Sequence, residues 1–363
     1  TLFRSFALMC GFCVTVHAES VSTSARAFVL YCADNGEVLL SDNPDERLPM
    51  ASTTKIMTSL ITLEIADKEN RVVEFTDEMT AEGSSMYLKE GELMPLLDLV
   101  YGLMLRSGND AAVAIACYLD GNVAAFVERM NARAAELGLF DTHFVNPNGL
   151  PDAAHYTSAH DLALLGAAAL ENPVFSEIVK TRYYETTGDT LRTLKNKNRL
   201  LWEYEGGIGV KTGYTKAAGK CLVFAAERGG MKLVGALLNC PTMWDTAKSL
   251  LDSGFARYRA TSLLDRNTVF WIPVQNGAKK ALSAAPISDI LYPTKTDADE
   301  RLTFETDLPP LLEAPISAGD TIGTVTLLLN GEPVRTIPVV AAETVDTLGF
   351  FDVLRRTVSA FWD

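Results

Sequence analysis

The chain is predicted to fold as an α+β protein: an antiparallel sheet with helices packed on it, then a small all-β domain, then a terminal amphipathic helix. Three observations carry that expectation. Strand-like apolar runs stand at both ends of the first 259 residues, with helix-forming runs between them. From about Ala260 the chain changes to short β-rich runs punctuated by Pro and Gly. The last 18 residues place Leu348, Phe350, Phe351, Leu354, Val358, Phe361 and Trp362 near helical spacing.

The first 18 residues read as a secretory leader. Arg4 precedes an apolar run from Phe6 to Val16, and Val16-His17-Ala18 offers small residues at the −3 and −1 positions of a cleavage site. The run is too short to span a membrane. Residues 19–259 form the predicted main domain. Arg26 to Tyr31 and Glu37 to Leu40 flank Asn35-Gly36, a hairpin signal. Helices are expected after Ser52, where Ile56, Leu60, Leu63 and Ile65 recur, and over Leu97–Leu105, Ala111–Leu119, Val123–Leu137 and Ala159–Leu170. Strands return at Lys220–Ala226 and Lys232–Leu238 around Arg228-Gly229-Gly230, and a helix from Thr242 to Tyr258 closes the domain.

The β domain, residues 260–345, carries runs at Val269–Val274, Leu302–Thr306, Thr321–Leu329 and Val334–Val340, the last two joined by Asn330-Gly331. In the final segment, 346–363, the apolar stripe opposes Asp352, Arg355, Arg356 and Ser359. Its aromatic load predicts a helix lying in a membrane interface and held by apolar burial.

Composition narrows the function. At 48 % hydrophobic and 21 % charged the chain suits a folded protein with a large core, and a formal net charge of −14 argues against a nucleic-acid partner. Cys32, Cys117, Cys221 and Cys240 lie in apolar sequence with no C-x-x-C or His-rich spacing, so no metal or other cofactor is indicated and buried thiols are expected. Gly213 to Gly219-Lys220 is one residue too long for a phosphate loop, and Cys221 stands where Ser or Thr is required. Neither H-E-x-x-H nor G-x-S-x-G occurs. His155 and His160 read as structural or surface groups.

Three motifs carry chemistry: Ser52-Thr53-Thr54-Lys55, Ser107-Gly108-Asn109 and Lys211-Thr212-Gly213, their first residues 55 and 104 positions apart. Singly each means little. In this order they mark active-site serine enzymes that penicillin acylates. Ser52 and Lys55, three apart on a helix, share a face. A serine hydroxyl needs a base, and a lysine serves once desolvation or a second cation such as Lys211 lowers its pKa. Ser107 could carry a proton to a leaving amine, and Asn109 could accept from a lysine while donating to a substrate amide. Lys211 and Thr212 could hold a carboxylate on a strand that this motif opens. Gly213 would let a substrate backbone approach, and the Tyr214 and Ser52 amides could face an oxyanion.

With these motifs, and with Gly83-Ser84-Ser85-Met86-Tyr87-Leu88, Asn146-Pro147-Asn148-Gly149-Leu150-Pro151, His155-Tyr156-Thr157-Ser158 and Asn196-Lys197-Asn198-Arg199-Leu200-Leu201, the chain resembles the serine-type D-alanyl-D-alanine carboxypeptidases, the low-molecular-mass penicillin-binding proteins, from about Ala25 onward. The resemblance implies a β-lactamase/transpeptidase-like domain followed by a β domain and an anchoring helix. It implies an exported enzyme, peripheral on the outer face of the cytoplasmic membrane, that cuts the terminal D-alanine from peptidoglycan stem pentapeptides. Ser52 would be the nucleophile, Lys55 the base, Ser107 and Asn109 proton-transfer helpers, and Lys211 and Thr212 the carboxylate clamp. β-Lactams would acylate Ser52. Lys197 stands where some relatives carry a carboxylate-binding arginine, keeping the charge without the bidentate fork. A β-lactamase is the first rival, but Ser-Gly-Asn replaces Ser-Asp-Asn, and no E-x-x-L-N deacylation loop lies between Ser107 and Lys211. A catalytically silent wall-binding scaffold would have no reason to keep all six polar groups.

Overall fold

The computed structural model describes residues 23–65 and 71–349. The expected leader and the aromatic stripe from Phe350 onward lie outside the described residues.

Strands β1 (Ala27–Cys32) and β2 (Glu37–Asp42) form the first hairpin. Its turn is wider than Asn35-Gly36 alone. Gly36 takes φ +79°, and Asn35 Oδ1 accepts from the Glu37 amide at 3.0 Å. A 3₁₀ turn, Ala51–Thr54, runs straight into α1 (Lys55–Ile65). The short pair β3 (Val72–Glu74) and β4 (Leu93–Pro95) brackets the Gly83–Leu88 loop. Helix α2 (Leu96–Tyr101) widens into a π-helical turn, Gly102–Arg106, before α3 (Asn109–Asp120), α4 (Val123–Glu136), α5 (Ala159–Glu171) and α6 (Pro173–Lys180). Side-chain caps start three of these helices: Asn122 Oδ1 accepts from Ala125 N, Ser158 Oγ from Asp161 N, and Asn172 Oδ1 from Val174 N and Phe175 N, with Pro173 in the first helical turn.

A hairpin of β5 (Tyr183–Glu185) and β6 (Thr193–Lys195) leads to the single-turn α7 (Leu200–Glu203). Then come β7 (Gly207–Thr215), β8 (Gly219–Arg228), β9 (Met231–Leu238) and α8 (Met243–Arg257). The antiparallel sheet runs β2-β1-β9-β8-β7, which leaves β7 at an edge. Side chains alternate across it. Ala27, Val29, Val223, Ala225, Val234 and Ala236 face α5 in the core that also holds α1, whereas Phe28, Leu30, Leu222, Phe224, Leu233 and Leu237 pack with α8.

The remaining strands are β10 (Tyr258–Leu264), β11 (Phe270–Gln275), β12 (Ala281–Pro286), β13 (Ile290–Lys295), β14 (Leu302–Asp307), β15 (Leu312–Glu313), β16 (Thr321–Leu329) and β17 (Glu332–Ala341). β10 pairs with β13, and the others form one sheet in the order β14-β16-β17-β12-β11-β15. Val325, Leu327, Ile337 and Val339 centre its core. Asn330 and Gly331, at φ +55° and +91°, turn β16 into β17. This β unit meets the main sheet at its far edge: Tyr258 Oη donates to Glu37 Oε1 at 2.9 Å, and Lys295 Nζ lies 3.2 Å from the same oxygen. Four strand spacings, about 19 Å at ~4.8 Å each, separate that contact from β7.

The structure corrects the expected start of the terminal helix. Val345 and Thr347 bridge to Ile316 and Gly277, and the Leu348 amide donates to Asn276 O at 2.8 Å. Residues 346–348 therefore extend the β unit, because edge backbone groups there take them as partners.

Candidate active site

Ser52 lies within the 3₁₀ turn and Lys55 opens α1, so three residues of tight helix bring their side chains together, with Nζ 3.1 Å from Oγ. Ala51, just before Ser52, takes φ +50°. What holds that turn is the Asn146–Leu150 loop. Asn146 Oδ1 accepts from the amides of Asn148, Gly149 and Leu150 at 3.3, 2.7 and 3.2 Å. Gly149, at φ +87°, presses so closely that a Cβ there would fall 2.0 Å from Ala51 O and 2.9 Å from Ser52 N. Gly149→Ala is therefore expected to lower stability by roughly 3 kcal/mol or more, combining left-handed strain with backbone overlap. Thermal unfolding would check this, and a melting temperature within 2 °C of the parent would refute it.

The Lys55 side chain is fully buried. Its ammonium nitrogen has three neighbours: Ser52 Oγ, Asn109 Oδ1 at 2.7 Å, and the carbonyl oxygen of Asn148. Asn109 Nδ2 donates to Glu82 O at 2.6 Å, which turns Oδ1 toward Lys55 and settles the amide orientation. Two of the neighbours are oxygens that can only accept. They match the two N–H bonds of a neutral amine, whose lone pair then faces the one neighbour able to donate, the Ser52 hydroxyl. Burial, then Lys211, then Lys197 push the Lys55 pKa well below its ordinary value, against the opposing pull of Asp110. Burial and Lys197 push Lys211 down to about 7. The arrangement is suited to moving a proton between Ser52 Oγ and Lys55 Nζ.

Ser52, Ser107, Lys197, Thr212, Gly213 and Tyr214 all border one open groove of about 470 Å³. Lys55, Asn109 and Lys211 are buried. Ser107 ends the π-helical turn in the left-handed conformation, φ +66°, and Asn109 begins α3, so the middle motif is the expected tight loop between helices. The third motif sits inside edge strand β7 and does not open it, with Lys211 and Thr212 paired to Val223 and Leu222. Gly213 also borders the nucleophile's own turn. A Cβ there would meet Met50 O at 3.0 Å, Ala51 Cβ at 3.1 Å and Ser52 N at 3.1 Å. The missing side chain makes room for the nucleophile's own turn and brings the Ser52 amide beside Gly213-Tyr214.

Several groups had no role in the sequence reading. The Asn148 carbonyl is one, and Met243, Trp244, Lys220 and Ser84 on the groove wall are others. Buried Asp110 fixes the Gly83–Leu88 loop by accepting from Ser85 Oγ and from the amides of Met86 and Leu88 at 2.6, 2.9 and 3.3 Å. Residue type and position beside Asn109 were its only signal. His155 is structural: Nδ1 accepts from Val145 N at 3.1 Å, so Nε2–H donates to Thr54 Oγ1 at 2.7 Å, and burial lowers its pKa to about 4. Cys32, Cys117, Cys221 and Cys240 are free thiols.

Comparison with known proteins agrees with this geometry. A family model described as D-alanyl-D-alanine carboxypeptidase matches residues 14–242, and one described as the C-terminal domain of penicillin-binding protein 5 matches 258–347. D-alanyl-D-alanine carboxypeptidase DacF of Bacillus subtilis is 35 % identical over 354 residues, covering 94 % of this chain and 90 % of the relative. The Escherichia coli enzyme DacC is 32 % identical over 357 residues, covering 92 % and 87 %. Penicillin-binding protein 5 of Haemophilus influenzae superposes with a TM-score of 0.67 at 29 % identity, over 90 % of this chain and 99 % of that one. The chain belongs to the D-alanyl-D-alanine carboxypeptidase family of serine-type peptidases.

Proposed function

We propose that the protein is exported and removes the terminal D-alanine of peptidoglycan stem pentapeptides through an acyl-enzyme on Ser52, and that penicillin acylates the same oxygen. The observation that carries this reading is the Lys55 environment, in which two acceptor-only oxygens leave the amine lone pair for the Ser52 hydroxyl. Ser52 Oγ attacks the carbonyl carbon between the two D-alanines as its proton passes to Lys55. The Ser52 and Tyr214 amides stabilise the oxyanion. The C–N bond then breaks, and the departing nitrogen takes a proton delivered through Ser107. Asn109 holds Lys55 in place. Thr212, Lys211 and Lys197 hold the terminal carboxylate. Water attacks the ester with Lys55 again as base and frees the shortened peptide.

Mass spectrometry of the protein after benzylpenicillin tests the reading. The expected result is one long-lived adduct on the peptide containing Ser52. Rapid turnover of penicillin would make the chain a β-lactamase instead, and absence of an adduct would favour a silent scaffold.

Lys211 has two tasks in this scheme. As a cation it holds the carboxylate, and as a neighbour it keeps the Lys55 pKa low. Lys211→Met is expected to cut kcat/KM by roughly 10²-fold and to move the rising limb of its pH profile upward, because Lys55 regains basicity. Stability should move the other way. The folded pKa of Lys211 lies at about 7, below the ordinary lysine value of 10.5, so the unfolded chain binds more protons between those values. The penalty is complete below pH 7 and disappears toward pH 10.5. The variant should therefore be more stable than the parent at pH 6–7, by ~1–3 kcal/mol, with the advantage fading as pH rises. An unchanged kcat/KM would refute the first task, and an unchanged pH profile the second.

The catalytic unit is assigned from residue 19 to the end of α8, the β unit from Tyr258 to Leu348, and the membrane anchor from Phe350 onward. Deleting residues 350–363 is expected to move the protein from the membrane to the soluble fraction with peptide hydrolysis intact. Unchanged fractionation would dismiss the anchor and the peripheral location on the outer face of the membrane.

A further inference from the structure

A second cavity, about 410 Å³, lies directly beyond Lys197, which borders both it and the reaction groove. Three of its cations come from one segment. Between Lys195 and Arg199 the chain alternates, with Lys195, Lys197 and Arg199 outward and Asn196 and Asn198 buried. Asn196 Nδ2 donates to Val179 O and Thr181 O at 3.2 and 3.0 Å, and its Oδ1 accepts from Asn198 N at 2.9 Å, so the segment is pinned from behind. The fourth cation, Arg106, approaches from the π-helical turn that ends at Ser107.

The four cations face one carboxylate, Glu203, and that group is already engaged by Arg199 Nε at 2.5 Å and Lys248 Nζ at 2.8 Å. Among the described residues, Arg106, Lys195 and Lys197 have no carboxylate partner. In a chain of net charge −14, three uncompensated cations around one cavity form a local anion trap. Trp202, 40 % exposed, supplies an aromatic wall, with Lys195 Nζ 5.6 Å from its ring centroid.

Resting on the proposed reaction, in which Lys197 marks the end of the groove that holds the terminal carboxylate, we infer that this pocket binds a second carboxylate carried by the departing D-amino acid. A departing D-alanine has only a methyl side chain and leaves the pocket unused. A departing D-amino dicarboxylic acid would fill it. The pocket takes no part in bond making: Ser52 Oγ–C forms, C–N breaks, and both carboxylates leave unchanged on the protonated amine product.

The test uses three N-acylated peptides, identical through the penultimate D-alanine and ending in D-Ala, D-Glu or D-Gln. For the parent protein, kcat/KM for D-Glu should exceed that for its neutral isostere D-Gln by about tenfold at low salt, shrinking in ~0.5 M NaCl as charges are screened. In Arg106→Gln/Lys195→Met the two should become equal, with D-Ala release within about twofold of the parent. A parent ratio at or below one, or a ratio that survives in the double variant, overturns the inference. If the double variant does not fold, Lys195→Met alone, at an exposed side chain, should lower the ratio at least about threefold, and an unchanged ratio counts against the pocket. Titrating the D-Glu and D-Gln peptides into Ser52→Ala protein separates this from the acyl-enzyme reading. A D-Glu preference there keeps the pocket even if no peptide is turned over. Equal affinities remove it even if D-alanine release by the parent is fast.

Discussion

Ser52→Ala is expected to lower D-alanine release by roughly 10⁶-fold and to abolish the penicillin adduct, since loss of a nucleophile removes the covalent route altogether. Among the described residues the hydroxyl's one side-chain hydrogen bond is to Lys55 Nζ at 3.1 Å, and the turn that carries it is held by Gly149 and Gly213 packing against the backbone. Removing one oxygen from a half-exposed position therefore leaves the fold in place, and the melting temperature should stay within about 2 °C of the parent. That separation matters, because an inactive protein that has also lost stability would say nothing about chemistry. Release of D-alanine by the folded variant at more than about a hundredth of the parental rate would move the nucleophile away from Ser52. An adduct mapped to Ser107 would do the same, and would make the left-handed loop residue the attacking group.

What could be read from the sequence, and what could not, follows from where the information resides. The Ser52–Lys55 pairing was legible because three residues of helix fix two side chains on one face. The Arg228-Gly229-Gly230 and Asn330-Gly331 hairpins were legible because positive φ is chemically marked. The Asn148 carbonyl was not, since every residue has a carbonyl and only the fold decides which one faces Lys55. The short pairs β3–β4 and β5–β6 escaped because three residues are too few to show a period. The position of Lys211-Thr212-Gly213 inside β7 was misread as a strand opening because Gly207 and Gly209 look like a break in the chain. That Gly213 also makes room for Met50, Ala51 and Ser52 was not legible, because only the fold decides what packs against a strand. Likewise the apolar spacing near residue 346 suggested helix. The open edge at Asn276, Gly277 and Ile316 turned that stretch into ladder.

Lys55→Ala should slow acylation by roughly 10²- to 10⁴-fold while leaving some reactivity, because the oxyanion donors and the carboxylate clamp remain. The loss has a signature that distinguishes a base from a structural lysine. The parent needs neutral Lys55, so kcat/KM rises with pH through the depressed Lys55 pKa, and the variant loses that limb. Lys55→Arg sharpens the test. A guanidinium can still donate to Asn109 Oδ1 and Asn148 O, but it stays charged and cannot accept the serine proton at any working pH. If Lys55 acted only by bridging α1 to α3 and to the Asn146–Leu150 loop, arginine would restore much of the rate. If it acts as the base, arginine should be as slow as alanine. Stability reads out separately. Alanine removes a buried amine that is costly to hold, yet strands acceptors on two residues that are 4–5 % exposed, at about 1–3 kcal/mol for each unsatisfied group. The net change should be small beside the kinetic one. A variant that melts normally, labels thousands of times more slowly and shows no rising pH limb would establish that the lysine's work lies in the proton it takes. Full rescue by arginine would assign that work to its packing.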